Sequence, residues 1–230
     1  MDGKNLLSDG INILCKSDEE IKNLIAPRRE KITALLNNYI KEIELFNSAY
    51  GLVGASDTNE LVIKHILDSL APLGIIMKLI KSTDTKNTPQ IADAGSGAGL
   101  PGIPLAIAMP QCDFTLIERM GRRAGFLFNT KAVLSLSNVS IEESELERTQ
   151  RGRFNLVTFR AFKPLEPKLL KTLFKICASG GVIAAYKGRR EKIEAEMSPL
   201  EKNCKNWEII PCTTPFLEEE RHLLVIRPSD

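Results

Sequence analysis

The chain is predicted to be an α/β protein: a doubly wound, mostly parallel sheet of seven strands preceded by a helical extension. Three observations predict this. Apolar residues ahead of position 82 recur at helical spacing, whereas after position 89 short apolar runs alternate with helical patterns. The last two strand-like runs follow one another with no helical pattern between them. A length of 230 residues accommodates one large domain with an appended helical segment. The expected division is a helical segment over 1–82, packed on the core, and a sheet-bearing domain over 89–230.

Each element has its own signal. Over 28–46, Ile32, Leu35, Leu36, Tyr39, Ile40, Ile43 and Phe46 form the stripe of a buried helix face. Asp57-Thr58-Asn59-Glu60 reads as a capping box ahead of Leu61, Val62, Ile66, Leu67 and Leu70. The polar, breaker-rich stretch 81–89 reads as a linker. Strands are then expected at 90–94, 113–118, 139–142, 154–159 and 181–186. Helices are expected at 101–109, 122–136, 164–177 and 189–203; Pro101 and Pro104 fall in the first turn of the first of these, where a missing N–H costs little. The runs 207–211 and 222–226 form a hairpin, which makes the final strand antiparallel.

Composition bounds the function. Hydrophobic residues at 43% support a buried core, and no run reaches the length of a membrane span. Asp2, Asp9 and Asp18 interrupt any basic-then-apolar leader pattern, so a cytoplasmic protein is expected. Five scattered cysteines without a Cys-x-x-Cys pair and only two histidines suit reduced structural thiols and no metal site. Net charge is +2 but unevenly spread: residues 148–192 carry twelve Lys/Arg against Glu166 and Glu191, which is +10 and leaves −8 elsewhere. Such a basic half suggests a polyanionic partner, although a solvated helix face would look the same.

The richest stretch is Asp93-Ala94-Gly95-Ser96-Gly97-Ala98-Gly99-Leu100-Pro101-Gly102, a strand end followed by glycines at alternate positions. Such a loop lets backbone approach a ligand where a Cβ would clash. The acid ahead of it repels a pyrophosphate and attracts an ammonium or sulfonium. The loop therefore reads first as a site for S-adenosylmethionine in a Rossmann-like sheet, with Asp93, Gly95, Gly97 and Gly99 on the methionine side. Glu118, at the end of the second strand, suits the ribose hydroxyls. Leu146 and Glu147, after the third strand, face the adenine. The competitor is NAD, because Gly97-Ala98-Gly99-Leu100-Pro101-Gly102 also matches the dinucleotide fingerprint. Against it stand Asp93 and the lack of a His or Tyr set for hydride chemistry. A non-catalytic RNA-binding module is the third reading.

Strand four delivers Arg160-Ala161-Phe162-Lys163, on the edge that faces a methyl acceptor. No Asn-Pro-Pro-Tyr-like motif and no cysteine stands there, which argues against base-amine methylation and against a covalent pyrimidine adduct. Arg160 and Lys163 suit a phosphate, a base edge or a cofactor carboxylate. Lys187-Gly188-Arg189-Arg190 extends the basic field on the same edge and suits RNA backbone. His65, Asp68 and Ser69 share a helix face; a contact between the helical segment and the sheet is favoured over a place on the pocket rim. Arg221-His222 is read as a hairpin-turn contact.

With these residues assembled, the chain resembles the small-subunit ribosomal RNA methyltransferase G family. The carriers are His65-Ile66-Leu67-Asp68-Ser69-Leu70, the glycine segment continued through Leu100-Pro101-Gly102-Ile103-Pro104-Leu105, Arg160-Ala161-Phe162, Lys187-Gly188 and Glu220-Arg221-His222-Leu223. The resemblance implies a class I S-adenosylmethionine-dependent enzyme that methylates N7 of a guanine in 16S ribosomal RNA, as free RNA or in a small-subunit particle. It implies cofactor contacts at Gly95, Leu100, Leu146, Glu147 and Arg160. A monomer is expected. Gly51-Leu52-Val53 and Glu145 depart from the family pattern, which has Asn-Leu-Thr and Arg there. Guanine N7 carries a free lone pair, so alignment should suffice and no general base is expected.

Overall fold

The computed structural model describes residues 3–83, 87–161, 163–202 and 204–228. Helices α1 (Gly3–Ser17), α2 (Glu19–Ile25) and α3 (Arg29–Tyr50) open the chain. The apolar stripe of α3 is buried at Ile32, Leu36, Tyr39, Ile40 and Ile43. Gly51 ends this helix at φ 58°, a left-handed conformation that costs glycine nothing. The Asn47 side chain then accepts the amides of Leu52 and Val53 at 2.8 and 2.9 Å, closing the turn where the sequence departs from the family pattern.

Next comes α4 (Thr58–Leu61), a π-helical stretch Val62–Leu67, α5 (Asp68–Leu70) and α6 (Leu73–Ser82). Asp57 caps α4 by accepting the Glu60 amide at 2.9 Å. The return bond is displaced by one residue, because the Glu60 carboxylate takes the amide of Ser56 at 2.7 Å. Wider π turns recur at functional sites, and this one carries Lys64 and His65 and leads into Asp68.

The sheet contains β1 (Gln90–Ala94), β2 (Asp113–Glu118), β3 (Val139–Glu143), β4 (Phe154–Arg160), β5 (Cys177–Lys187), β6 (Trp207–Cys212) and β7 (Arg221–Ile226). Their order is β3-β2-β1-β4-β5-β7-β6. Strands β1 to β5 pair in parallel, and β7 is antiparallel to both β5 and β6, as the missing helix predicted. Helices α7 (Gly102–Ala108), α8 (Gly121–Leu134), α9 (Pro167–Ile176) and α10 (Arg190–Met197) make the crossovers. The strand order reverses between β1 and β4, which places a crevice at their carboxyl ends.

Two expected boundaries move for identifiable reasons. The fifth strand begins at Cys177, which pairs with Phe154 ahead of a register shift. The helix expected at 189–203 gives way to a short 3-10 turn, Ser198–Leu200, where Pro199 lacks an amide hydrogen; Asn203 lies outside the described residues.

The sheet is covered on both faces. One cluster joins the N-terminal helices to α7, α8 and the sheet, through residues such as Leu36, Tyr39, Leu70, Ile103, Phe126 and Leu223. The other joins α9 and α10 to the opposite face, through Phe154, Leu173, Ile183, Ile193 and Leu224. The helical segment therefore shares a core with the sheet. Among the described residues no helix is long and apolar enough to cross a membrane, and no group of His, Cys, Asp and Glu could hold a metal ion. All five cysteines are free.

Candidate active site

The glycine loop leaves β1 with Gly95, Gly97 and Gly99 at φ 70°, 57° and 89°, a conformation that L side chains rarely adopt. It is tied down from three sides. The amides of Gly95 and Ser96 donate to the Ile117 carbonyl at 2.9 and 3.1 Å. The Gly97 amide donates to Glu118 Oε2 at 2.9 Å, while Met120 N takes Glu118 Oε1 at 2.9 Å. Tyr39, fully buried on α3, donates its hydroxyl to the Ala98 carbonyl at 2.6 Å. The helical segment thus holds the loop from behind.

Asp93 sits beneath this loop and not on its surface. It is 0% exposed, and its Oδ2 accepts the Gly102 amide at 2.9 Å, capping α7. Its Oδ1 is buried with no partner among the described residues. Burial pushes its pKa up to about 7, against the lowering pull of the Gly102 amide. This carboxylate already occupies the first amide of α7, the place where a dinucleotide would set its pyrophosphate. A Cβ on Gly102 would lie 2.4 Å from Leu116 Cδ2 and 2.6 Å from Asp93 Oδ2.

Beside the loop lies a cavity of about 400 Å³, lined by Gly95, Glu118, Met120, Leu146, Glu147 and Lys163 among others. Of the residues expected at the cofactor, Gly95, Glu118, Leu146 and Glu147 line this space. Four of the loop residues expected at the cofactor, Asp93, Gly97, Gly99 and Leu100, do not line it, and neither does Arg160. Asp93 and Leu100 are buried in the core, and Gly99 faces inward, where a Cβ would lie 2.6 Å from Ile103 Cγ1 and 3.0 Å from Leu127 Cδ2. Gly97 contributes its amide to Glu118.

The cavity suits an adenosine carrying a cationic amino-acid tail. Each Glu118 oxygen spends one lone pair on an amide and keeps another for a hydroxyl. Leu146 offers an apolar face beside polar Glu147. The orphan Asp93 Oδ1 is an acceptor that lacks a donor. The residues present fit S-adenosylmethionine.

A second, larger cleft of about 1160 Å³ opens next to it, lined by His65, Asp68, Arg160, Lys163, Lys187 and Arg221 among others. Its centre is an ion network drawn from three distant parts of the chain. Arg160, at the end of β4, donates from Nη1 to Asp68 Oδ2 and to the Lys64 carbonyl, both at 3.1 Å. Its Nη2 lies 2.9 Å from His65 Nδ1. Asp68 Oδ1 accepts from Arg221 Nε at 3.0 Å and from Thr214 Oγ1 at 3.2 Å. A guanidinium can only donate, so His65 Nδ1 accepts and the ring proton sits on Nε2. Burial, followed by the Arg160 charge, lowers the His65 pKa to about 4, so the ring is neutral at pH 7.

The His65–Asp68 face does join the helical segment to the sheet: Tyr186 on β5 also donates to the Ser69 carbonyl at 2.7 Å. It lines the cleft as well. Arg221 contacts the neighbouring Glu220 carbonyl as a turn residue would, but its Nε reaches Asp68 in the cleft. The hairpin-turn reading of Arg221 is therefore corrected. His222 holds the Gly188 carbonyl at 2.6 Å from Nδ1 and so fixes the turn after Lys187.

The basic stretch is less bare than its count. Lys187 is clamped by Glu196 at 2.6 Å, and Glu196 also takes the Leu165 amide at 2.6 Å. Arg190 pairs with Glu194 at 2.8 Å. Arg189 is exposed on the turn after β5 and makes no ion pair among the described residues. Phe162, one of the family carriers, lies outside the described residues. Glu196 and Thr214 carried no sequence signal: the partner of Thr214 is 146 positions away, and Glu196 reaches Lys187, 9 positions back, across the turn between β5 and α10.

Comparison with known proteins agrees with this geometry. A family model described as rRNA small subunit methyltransferase G matches residues 32–224. The chain is 39% identical to the ribosomal RNA small subunit methyltransferase G of Treponema denticola, over 97% of its own length and 96% of that protein's. It is 34% identical to the protein of the same name from Cellvibrio japonicus, over 87% and 89% of the two chains. A crystal structure of a SAM-dependent methyltransferase from Aquifex aeolicus superposes with a TM-score of 0.52 at 12% identity, covering 69% of this chain and 91% of that one. That likeness shows the fold.

Proposed function

The chain belongs to the rRNA small subunit methyltransferase G family, and from that membership we propose that it transfers a methyl group from S-adenosylmethionine to N7 of a guanine in 16S ribosomal RNA. The observation that carries the reading is the adjacency of two unlike cavities at the carboxyl ends of β1 and β4. One suits an adenosine, and the other is a basic cleft headed by Arg160.

Gly95 and Glu118 would hold the donor at its loop and ribose, and Leu146 with Glu147 would hold its base. Asp93 acts from beneath, through its field and by fixing the loop to α7. When bound, S-adenosylmethionine supplies a methyl group on a cationic sulfur, and the sulfur keeps the bonding electrons as the acceptor takes the methyl and the positive charge. The chain's own residues then have three tasks: to orient the acceptor, to exclude water and to leave the acceptor's lone pair uncovered.

The cleft is short of bases. Asp68 is committed to Arg160 and Arg221, Glu196 to Lys187 and Glu60 to Lys64. His65, with a pKa near 4, is a poor proton acceptor at pH 7. Such a site suits a nucleophile that gives up no proton, which guanine N7 is. Arg160, Lys163, Lys187, Arg189 and Arg190 are the RNA-facing cations in this reading. A monomer acting in the cytoplasm on free 16S RNA or a small-subunit particle completes it.

The test is mass spectrometry of 16S RNA from a deletion strain, with cleavage at 7-methylguanosine to locate the site. Loss of one such nucleoside, restored by the purified protein with S-adenosylmethionine, is expected. An unchanged modification profile overturns the reading. A thermal shift with NADH and none with S-adenosylhomocysteine would restore the dinucleotide alternative.

A further inference from the structure

We infer that Ala161 is the residue across which the two cavities communicate, and that its single methyl side chain sets the clearance for methyl transfer. This rests on the proposed function and deepens it. Ala161 and Lys163 are the two described residues that line both the 400 Å³ cavity and the 1160 Å³ cleft. Lys163 has a four-carbon stem, so its backbone alone does not set where its end group lies. Ala161 has only a Cβ, whose position the backbone dictates.

That backbone is unusual. Ala161 has φ 48°, in the left-handed region. Non-glycine residues are uncommon there, and such positions gather at functional sites. The conformation turns the chain directly after Arg160, whose guanidinium is locked by Asp68 and His65. Position 161 is thus fixed on one side by β4 and its ion network. On the other side the Leu165 amide is held by Glu196. A side chain at 161 has little freedom to withdraw by moving its backbone.

Transfer needs an unobstructed line. The N7 lone pair forms a bond to carbon on the face opposite sulfur while the carbon–sulfur bond breaks; no proton moves. Donor and acceptor, in separate cavities, must therefore meet at the wall between them, and any atom added there keeps them apart. A side chain larger than methyl would leave both cavities intact and close the path between them.

The experiment uses Ala161→Asn and Ala161→Ser in the full chain. Asparagine tolerates positive φ, so its bulk is added without imposing a new backbone conformation. Three quantities are read: S-adenosylhomocysteine affinity by calorimetry, affinity for small subunits purified from a deletion strain, and the single-turnover methylation rate on those subunits. In Ala161→Asn both affinities should stay within roughly 3-fold of the natural protein, while the rate falls roughly 100-fold or more, as for reacting atoms pushed about 1 Å apart. Ala161→Ser, one atom larger than alanine, should give a smaller fall in the same sense. It decides the question if the asparagine variant does not fold.

A rate within a few-fold of normal in folded Ala161→Asn overturns the inference, as does an undiminished rate in Ala161→Ser. So does a loss of either affinity that matches the loss of rate, which would make Ala161 an ordinary wall of that cavity. Failure of the natural protein to bind S-adenosylhomocysteine would instead overturn the proposed function itself.

Discussion

The cavity proposed for the donor and the cleft proposed for the acceptor are built in opposite ways. The donor side is made chiefly of backbone: amides and carbonyls of the glycine loop, one glutamate holding two amides, and a turn after β3. The acceptor side is made of long side chains from the π-helical stretch, β4, β5 and β7, locked by ion pairs around Asp68. The backbone cradle is held in one conformation by the hydrogen bonds it makes to Ile117, Glu118 and Tyr39. A side-chain network is rigid only while each member stays paired. The two sides should therefore respond differently to the same kind of damage.

Asp68→Ala should have the largest effect. It removes at once the acceptor of Arg160, Arg221 and Thr214. Asp68 is 6% exposed and Arg160 15%, so two guanidinium groups would be left short of a counter-charge in poor solvent contact. Breaking a buried pair from one side costs about 3–5 kcal/mol, and the partial exposure of Arg221 places the expectation near the lower figure. Denaturant unfolding should show that loss, and methylation should be abolished. S-adenosylhomocysteine affinity should change by less than roughly 5-fold, since no donor-side residue loses a partner. If donor affinity falls along with the transfer rate, the two sides are not independent.

Arg160→Ala spares the Asp68–Arg221 pair and should cost less stability. Its expected signature is kinetic: a single-turnover rate lower by roughly 100-fold, from lost alignment of the acceptor. Donor affinity should be little changed, because Arg160 lines the larger cleft and not the smaller cavity. A full rate in this variant removes Arg160 from the mechanism.

The same contrast explains what could be read from the sequence. β1 and β2 fall where their patterns place them, and the donor residues Gly95, Glu118, Leu146 and Glu147 meet around one cavity. They could be found because each follows a parallel strand, so topology alone brings them to one edge. Asp93 was legible as an acid at the right place but not as a buried cap of α7, since that depends on the path of Leu100-Pro101-Gly102 in three dimensions. The inward role of Gly99 was hidden for the same reason: Ile103 and Leu127 fill the space a Cβ would need. On the acceptor side His65, Asp68 and Arg221 are visible residues with invisible partners, 92 to 153 positions away from one another in the chain. Ala161 was legible only as a member of the Arg160-Ala161-Phe162 run, and its left-handed φ of 48° was not.

Asp93 gives a donor-side effect of intermediate size that depends on pH. With its pKa near 7 in the free protein, this carboxylate is partly protonated at neutral pH. A cationic ligand favours the ionised form, so S-adenosylmethionine should bind more tightly as pH rises from 6 to 8, by up to about tenfold per unit below pH 7 and then level off. Asp93→Asn should flatten that profile. Stability of the unliganded protein should show the opposite sign. A folded pKa raised above the ordinary 3.8 means this group's contribution is fully present below that value and lost as pH rises towards 7. His65, lowered from 6.5 to about 4, contributes stability that is present above 6.5 and lost as pH falls through 4. Between these limits the two oppose, and Asp93→Asn should remove the Asp93 limb from a pH series of denaturant unfolding while the histidine limb stays. A donor affinity independent of pH in the natural protein would mean that Asp93 does not feel the sulfonium end.

The smallest effect tests whether the basic surface or the cleft recognises RNA. Of the cations of the 148–192 stretch that line the cleft, Arg160 and Lys187 are already in ion pairs, so their charge is partly spent inside the protein. Lys187→Ala would also strand Glu196 and loosen the Leu165 amide, which makes it a poor probe of RNA contact. Arg189, exposed and outside these pairs, is the cleaner one. Arg189→Ala should weaken binding to small subunits by only about 2- to 5-fold at moderate salt, reduce the slope of log affinity against log salt by about 1, and leave the single-turnover rate at saturating RNA unchanged. An unchanged slope would move Arg189 off the RNA path. A lowered saturated rate would mean that this turn, held by His222 through Gly188, shapes the cleft as well as its surface charge.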